Sequence, residues 1–245
     1  MYNSVVLLFA RFTGFFLISP LFAQKAIPKS IRLGAALVCS LILAPPLSVH
    51  QTFNLDSPFI VLHILGEGAI GYLMGFLFSL LFEAAAFAGQ IVGTVMGFSV
   101  TELLDPQATS SHPLMARLFS LIAFALFLAL DLHHPLLRLL HGSFEIIPPL
   151  RYPFTQEVAQ TFIAGTSLLF KQALAYAAFP LTFLFTLIAL FAVLARFLPI
   201  FWIGFPLQLL VGLFAIAASV CLFSPLLQQG FTEIWGLFQN LVVHF

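Results

Sequence analysis

Charged residues are scarce in this 245-residue chain: nine Lys and Arg balance nine Asp and Glu, and together they make up 7% of the sequence. Because no basic excess exists to hold a phosphate backbone, the composition excludes a nucleic-acid-binding protein. Hydrophobic residues account for 61% of the chain, and the mean hydropathy is +1.10. A water-exposed globule needs more polar surface than this, so the composition indicates a membrane protein and excludes an ordinary soluble enzyme.

Cysteine is nearly absent as well. Cys39 and Cys221 both lie in apolar stretches, where a thiol behaves as a small hydrophobic group, and they form neither a disulfide framework nor a metal-binding spacing. The chain also lacks the motifs of nucleotide-binding loops, serine hydrolases and zinc peptidases. We therefore expect no enzyme activity and no cofactor, and we treat the chain as one unit because no linker divides it.

Three histidines and an aspartate lie close together in the sequence: Asp131, His133, His134 and His141. Their spacings are not those of typical zinc ligands, so we expect no metal site. Interfacial histidines that cap the C-terminus of a helix, where they interact favourably with its dipole, are the simpler interpretation.

Apolar segments long enough to cross a bilayer recur along the chain. A spanning helix needs about 20 predominantly apolar residues. Six segments meet this requirement if one charge is tolerated in some of them and three in 114–140: 4–22, 33–55, 58–82, 114–140, 172–195 and 197–232. Prolines within the last two, such as Pro180 and Pro206, remove backbone hydrogen bonds and bend helices. We predict an all-α membrane protein of about six hydrophobic, partly kinked helices.

Five charged residues interrupt this apolar sequence, where a charge at the centre of a membrane helix costs roughly 2.5 to 3.5 kcal/mol. They are Arg11, Glu67, Glu83, Lys171 and Arg196. One interpretation is a proton or ion relay. The other is that these charges pair with groups on neighbouring helices or subunits, or lie where water reaches them. Glu67 and Glu83 stand about 24 Å apart on a continuous helix, so they cannot share one proton or ion there.

Small residues recur at intervals of four in the middle of the chain. Gly71 and Gly75 form one pair, and Ala85, Gly89 and Gly93 form a ladder that continues to Gly97. On a helix this spacing leaves a groove that another helix can approach at backbone distance. The groove packs against another helix of this chain, packs against another subunit or lines a narrow passage, and the spacing does not distinguish these.

The most polar stretch of the chain follows the ladder, from residue 101 to residue 113. Its Asp-Pro, Ser-Ser and His-Pro pairs are typical of loops. Such a loop lies in water at the membrane face or folds into a cavity, since irregular backbone at membrane depth needs protein or water around it.

Read in order, these features resemble the FliR/SctT family of the type III secretion export apparatus. The similar blocks are LLFARFTGFFLISPLFAQKAIPKSIRLGAAL near the start, then GEGAIGYLMGF, FEAAAFAGQIVGTVMGFSVTELLDP and LFLALDLHHPLLRLLHGSFEIIP. The last third, LARFLPIFWIGFPLQLLVGL, is a weaker match because it lacks the family's Gln-x-Asn after the proline, and Leu132 stands where the family usually has Gly. The Gly-Phe-Pro triplet at 204–206 resembles the flagellar branch.

The resemblance implies a specific function. Family members form, with FliP and FliQ, the gate through which unfolded proteins leave the cytoplasm, with an FlhB-type switch protein as a further partner. It implies a FliP-like part over about 1–157, a FliQ-like helical hairpin over about 158–245, and a place among the lipids of the bacterial inner membrane, in the flagellar basal body. It also implies a pore plug formed by Gly97, Phe98, Ser99, Glu102, Asp105, Pro106, Ser110, Ser111, His112 and Pro113.

Two other functions compete with the export gate on the residues alone. A secondary transporter for a small solute or ion is suggested by helices interrupted by Pro and Gly and by the intramembrane charges. Such transporters often have two related halves, whereas here only the first half carries a glycine ladder. An intramembrane enzyme using Glu67, Glu83 or the His-His pair finds no support in the spacing.

Overall fold

The chain folds into α-helices. The computed structural model describes residues 2–19, 28–43, 60–98, 113–146, 156–195 and 201–243, and no residue in these ranges lies in a strand. The helices are α1 (Tyr2–Ile18), α2 (Lys29–Leu43), α3 (Ile60–Met96), α4 (Leu114–Ala129), α5 (His133–Ile146), α6 (Gln156–Leu194) and α7 (Phe201–Val243). The predicted all-α membrane fold is confirmed.

Three helices are long and apolar enough to cross a membrane, over Ile60–Met96, Gln160–Leu194 and Pro206–Gln239. A fourth span results if α4 and α5 together form one broken span. The helix predicted over 58–82 continues to Met96, because the alanines and glycines after it stay helical when packed. The predicted prolines lie inside long helices, Pro180 in α6 and Pro206 and Pro225 in α7.

The apolar segment 114–140, predicted as one helix, is broken between α4 and α5. Asp131 adopts a left-handed backbone conformation with φ of 55°, which cannot continue a right-handed helix. Aspartate tolerates this conformation better than most residues because its short side chain can hydrogen-bond locally. The hydrophobicity of segment 114–140 therefore did not predict the break at Asp131.

The described residues belong to two compact units. The first comprises Met1–Leu80, Asp131–Gly165 and Glu233–Phe245. Its core is rich in phenylalanine from α1: Phe12, Phe15 and Phe16 are buried, and the Phe15 ring lies 6.5 Å from that of Phe78 in α3. Edge-on aromatic pairs of this kind add to the stabilisation from burial itself.

The second unit comprises Leu81–Leu130 and Thr166–Thr232. Phe223 of α7 lies at its centre, stacked on Tyr176 of α6 at 4.6 Å and edge-on to Phe119 of α4 at 5.4 Å. Each unit draws on residues from both sides of position 157. The predicted likeness of 1–157 to FliP and of 158–245 to FliQ stays a prediction.

Candidate functional site

The first unit contains a fully buried ion pair between Arg11 of α1 and Glu67 of α3. Both side chains have 0% exposure. The Arg11 Nε donates to Glu67 Oε2 at 2.8 Å, and Nη2 lies 2.7 Å from the same oxygen. Two N–H groups of the guanidinium therefore converge on one carboxylate oxygen, and the two buried charges neutralise each other.

A third helix completes the arrangement through Ser143 of α5. The Arg11 Nη1 donates to the Ser143 carbonyl at 3.0 Å and to its hydroxyl oxygen at 3.3 Å. That hydroxyl in turn donates to the Leu140 carbonyl at 2.7 Å, and the Phe144 ring centre lies 4.2 Å from Arg11 Cζ. Arg11 therefore ties α1, α3 and α5 together. The sequence offered no signal for Ser143, a small residue in an apolar segment.

Glycines bring α1 close enough to α3 for this pairing. A Cβ atom added at Gly71 would collide with the Arg11 carbonyl, and one added at Gly75 would lie 2.9 Å from the Phe15 carbonyl. Gly14 faces α3 in the same way, with a Cβ reaching within 2.9 Å of the Tyr72 amide nitrogen. The two backbones come into contact at these positions because glycine has no side chain.

The glycine ladder in the second unit also packs within the chain. A Cβ at Gly89 would collide with the Met115 carbonyl of α4, and one at Gly93 would lie 2.8 Å from the Met115 Cβ. Ala85, the first residue of the ladder, has 0% exposure. At these positions α3 contacts its own chain. The predicted role of Gly71, Gly75, Ala85, Gly89 and Gly93 between subunits stays a prediction.

The remaining predicted charges are not brought into the buried cluster. Glu83 of α3 and Lys171 of α6 are exposed, and Arg196 lies outside the described residues. The structure therefore pairs two of the five intramembrane charges with each other. This is the arrangement that the sequence left as one of two alternatives, the other being a relay.

Most of the predicted plug falls outside the described residues: Ser99, Glu102, Asp105, Pro106, Ser110, Ser111 and His112. At its start, Gly97 has a φ of 89° and its N–H donates to the Thr94 carbonyl at 3.1 Å. Such a left-handed glycine is typical of the end of a helix, here α3. Phe98, the next residue of the predicted plug, is half-buried. Pro113, its last residue, directly precedes the first residue of α4. The plug assignment stays a prediction.

One cluster in the described residues has ligand atoms near enough for a metal ion: those of Asp131, His133 and His134 lie within 4.8 Å of one another. The His134 Nδ1 lies 3.8 Å from Asp131 Oδ1, and both side chains are largely exposed. These residues precede or begin α5, where the helix dipole opposes a bound cation. We therefore assign no metal to this cluster.

Sequence comparison identifies the protein's family. The model of a family described as "Bacterial export proteins, family 1" matches residues 2–234. The chain belongs to this family. In this export protein the buried Arg11–Glu67 pair and both sets of packed glycines lie within the matched range.

Three relatives of this family 1 export protein are named flagellar biosynthetic protein FliR. The one from Escherichia coli (strain K12) is 31% identical over 181 residues, covering 74% of this chain and 69% of the relative. That from Bacillus subtilis (strain 168) is 26% identical, covering 60% and 56%. That from Pectobacterium carotovorum subsp. carotovorum is 26% identical, covering 78% and 73%. The resemblance to FliR found in the sequence is confirmed.

Proposed function

We propose that this export protein is a component of the flagellar protein export apparatus in the bacterial inner membrane. The match to the export family over residues 2–234, with relatives named for flagellar biosynthesis, carries this proposal. Three helices long and apolar enough to cross a membrane support a place in the bilayer.

Within that apparatus the chain assembles with FliP and FliQ homologues into the pore for unfolded substrates, next to an FlhB-type switch protein. Its large exposed apolar side chains support this, since such surfaces need lipid or other subunits to cover them. The polar segment after α3 contributes the plug. The role is structural rather than enzymatic, because Arg11 and Glu67 bind each other and hold helices together.

Co-expression tests the assembly. The tagged chain is purified in mild detergent with and without its FliP and FliQ homologues, and the mass of the particle is measured. We expect a stable complex several times larger than the 27.0 kDa chain, containing one copy of it, only when the partners are present. A monomer or homodimer that ignores them would contradict the proposal and favour a secondary transporter, to be tested by solute flux in vesicles.

A further inference from the structure

The last turn of α3, which precedes the polar segment proposed as the plug, is hydrogen-bonded to α7. An α-helix leaves its last four carbonyl groups without partners inside the helix. In α3 one of these is the carbonyl of Val95, and it accepts a hydrogen bond from the side-chain Nε2 of Gln208 on α7. The two residues are 113 positions apart in the sequence. A side chain of α7 therefore caps one of the carbonyls at the end of α3.

Met96 makes a second contact between these two helices. Its side chain has 0% exposure. It lies against the backbone of Gly212 on α7, where an added Cβ atom would be 2.8 Å from the Met96 sulfur and 2.9 Å from its Cγ. Gln208 and Gly212 are four residues apart, so they lie on one face of α7. This face of α7 therefore contacts two consecutive residues of α3, Val95 and Met96.

The first turn of α4 contacts the same end of α3. A Cβ atom added at Gly93 would lie 2.8 Å from the Cβ of Met115, the second residue of α4. The described turn of α3 before segment 99–112 and the first turn of α4 after it therefore lie near each other. Both contacts, with α4 and with α7, fall within the second unit.

The end of a helix is the part that opens most easily, because fewer hydrogen bonds and buried contacts hold it. A segment that follows a frayed helix end has many more conformations available than one that follows a fixed end. The bond to Val95 and the packing of Met96 oppose such opening in α3. They therefore define the point from which the following segment extends.

We propose that Gln208 and Gly212 are positioning residues, which hold the last turn of α3 so that the segment after it can close the export passage. The inference rests on the proposed function, because that function assigns the plug to this segment. Loss of the contact with α7 then loosens the end of α3 and makes the closed gate leak, whereas assembly of the complex is preserved.

Two substitutions on α7 test the contact. Gln208→Met keeps the length of the side chain but removes its N–H donor, and Gly212→Ala places a methyl group against the Met96 side chain. The matched controls are Gln228→Met, at an exposed position of α7, and Gly236→Ala, where nothing lies within 4 Å of the added Cβ. Each chain is co-expressed with the FliP and FliQ homologues, and formation of the complex is measured first.

Hydrogen exchange in the complex, followed by mass spectrometry, measures opening of the last turn of α3. Loss of one hydrogen bond of typical net strength corresponds to a factor of about five in an equilibrium constant. We therefore expect the peptide that covers residues 93–98 to exchange about fivefold faster in both test variants and at an unchanged rate in both controls. An unchanged rate in Gln208→Met would overturn the inference. This variant also decides the result if the added methyl group at Gly212 prevents assembly.

Ion permeability of vesicles that contain the complex measures closure. We expect the two test variants to leak small ions and the two controls to stay closed. Faster exchange at residues 93–98 without a leak would make the contact merely structural and would overturn the inference. A further control is Phe223→Leu, which weakens ring packing at the centre of the second unit. An equal leak from this variant would attribute leakage to lost stability, which also contradicts a positioning role.

The two proposals fail in distinguishable ways. If the unsubstituted chain forms no complex, the export-gate assignment fails and the inference fails with it. If the complex forms but deletion of residues 109–112 causes no leak, the plug assignment is wrong, and so is the inference. If the deletion variant leaks and Gln208→Met does not, only the role of the α7 contact is wrong.

Discussion

At the scale of residues, the Arg11–Glu67 pair is the feature that most constrains the first unit. Both charges are fully buried, and Arg11 also donates to Ser143 on a third helix. Removing two charges from water is costly, so such a pair adds little net stability compared with apolar residues of similar size. Removing one partner, however, leaves the other charge buried and uncompensated.

We therefore expect Arg11→Met and Glu67→Leu each to lower the free energy of unfolding by about 3 to 5 kcal/mol. The double variant should recover much of this loss, because no isolated charge remains. Denaturant titration in mild detergent measures all three variants. If the double variant loses as much as the two single variants added together, the two side chains do not act as a pair.

At the scale of elements, α3 has two functionally different sides. Its glycine side lies against α1 in the first unit and, separately, against α4 in the second, close enough that added Cβ atoms would meet backbone. Its exposed side in the second unit is polar. The contacts that these glycines make in the structure are therefore contacts within the chain.

Gly89→Ala tests this packing. The new Cβ would lie against the Met115 carbonyl and 2.9 Å from the Ala116 Cα, so α4 has to shift, at a cost of about 1 to 3 kcal/mol in the free energy of unfolding. The matched control is Gly142→Ala on α5, where nothing lies within 4 Å of the added Cβ. That variant should be unchanged, or stabilised by about 0.5 to 1 kcal/mol through helix propensity.

Denaturant titration in mild detergent compares the two glycine variants on the isolated chain. Equal stabilities would contradict the intrachain contact. A Gly89→Ala chain of normal stability that no longer joined the complex would instead assign the position to a contact between subunits.

At the scale of the whole molecule, the three candidate spans differ in how much this chain covers them. The most apolar window of α3 is 61% buried, compared with 17% for α6 and 28% for α7. Helices that leave so much apolar surface open need lipid or other subunits around them. In α6 and α7 this cover has to come from outside the described part of the chain.

The plug assignment is tested in that assembly. Deleting residues 109–112 should leave the complex intact, because it removes no residue of the described helices, and should make the closed gate leak small ions. Vesicle permeability measures the leak. Replacing the same four residues with Gly and Ser keeps the length of the segment and should preserve closure. Unchanged ion permeability in the deletion variant would exclude this segment as the plug.

The sequence by itself determined the class of protein, most of the helices, the family, and the positions of the buried charges and glycines. Hydrophobicity and spacing are properties of the chain alone, so they predict which segments are helical and apolar. They missed the break at Asp131, because a left-handed residue leaves no trace in hydropathy.

Only the tertiary structure decided what each face of a helix meets. Arg11 and Glu67 are 56 positions apart, and no local pattern pairs them with each other or with Ser143. Helical spacing showed that the ladder at Gly89 and Gly93 forms a groove, but its occupant, Met115 of the same chain, followed from the fold. Periodicity defines the faces of a helix, whereas contacts between distant segments determine which face is covered.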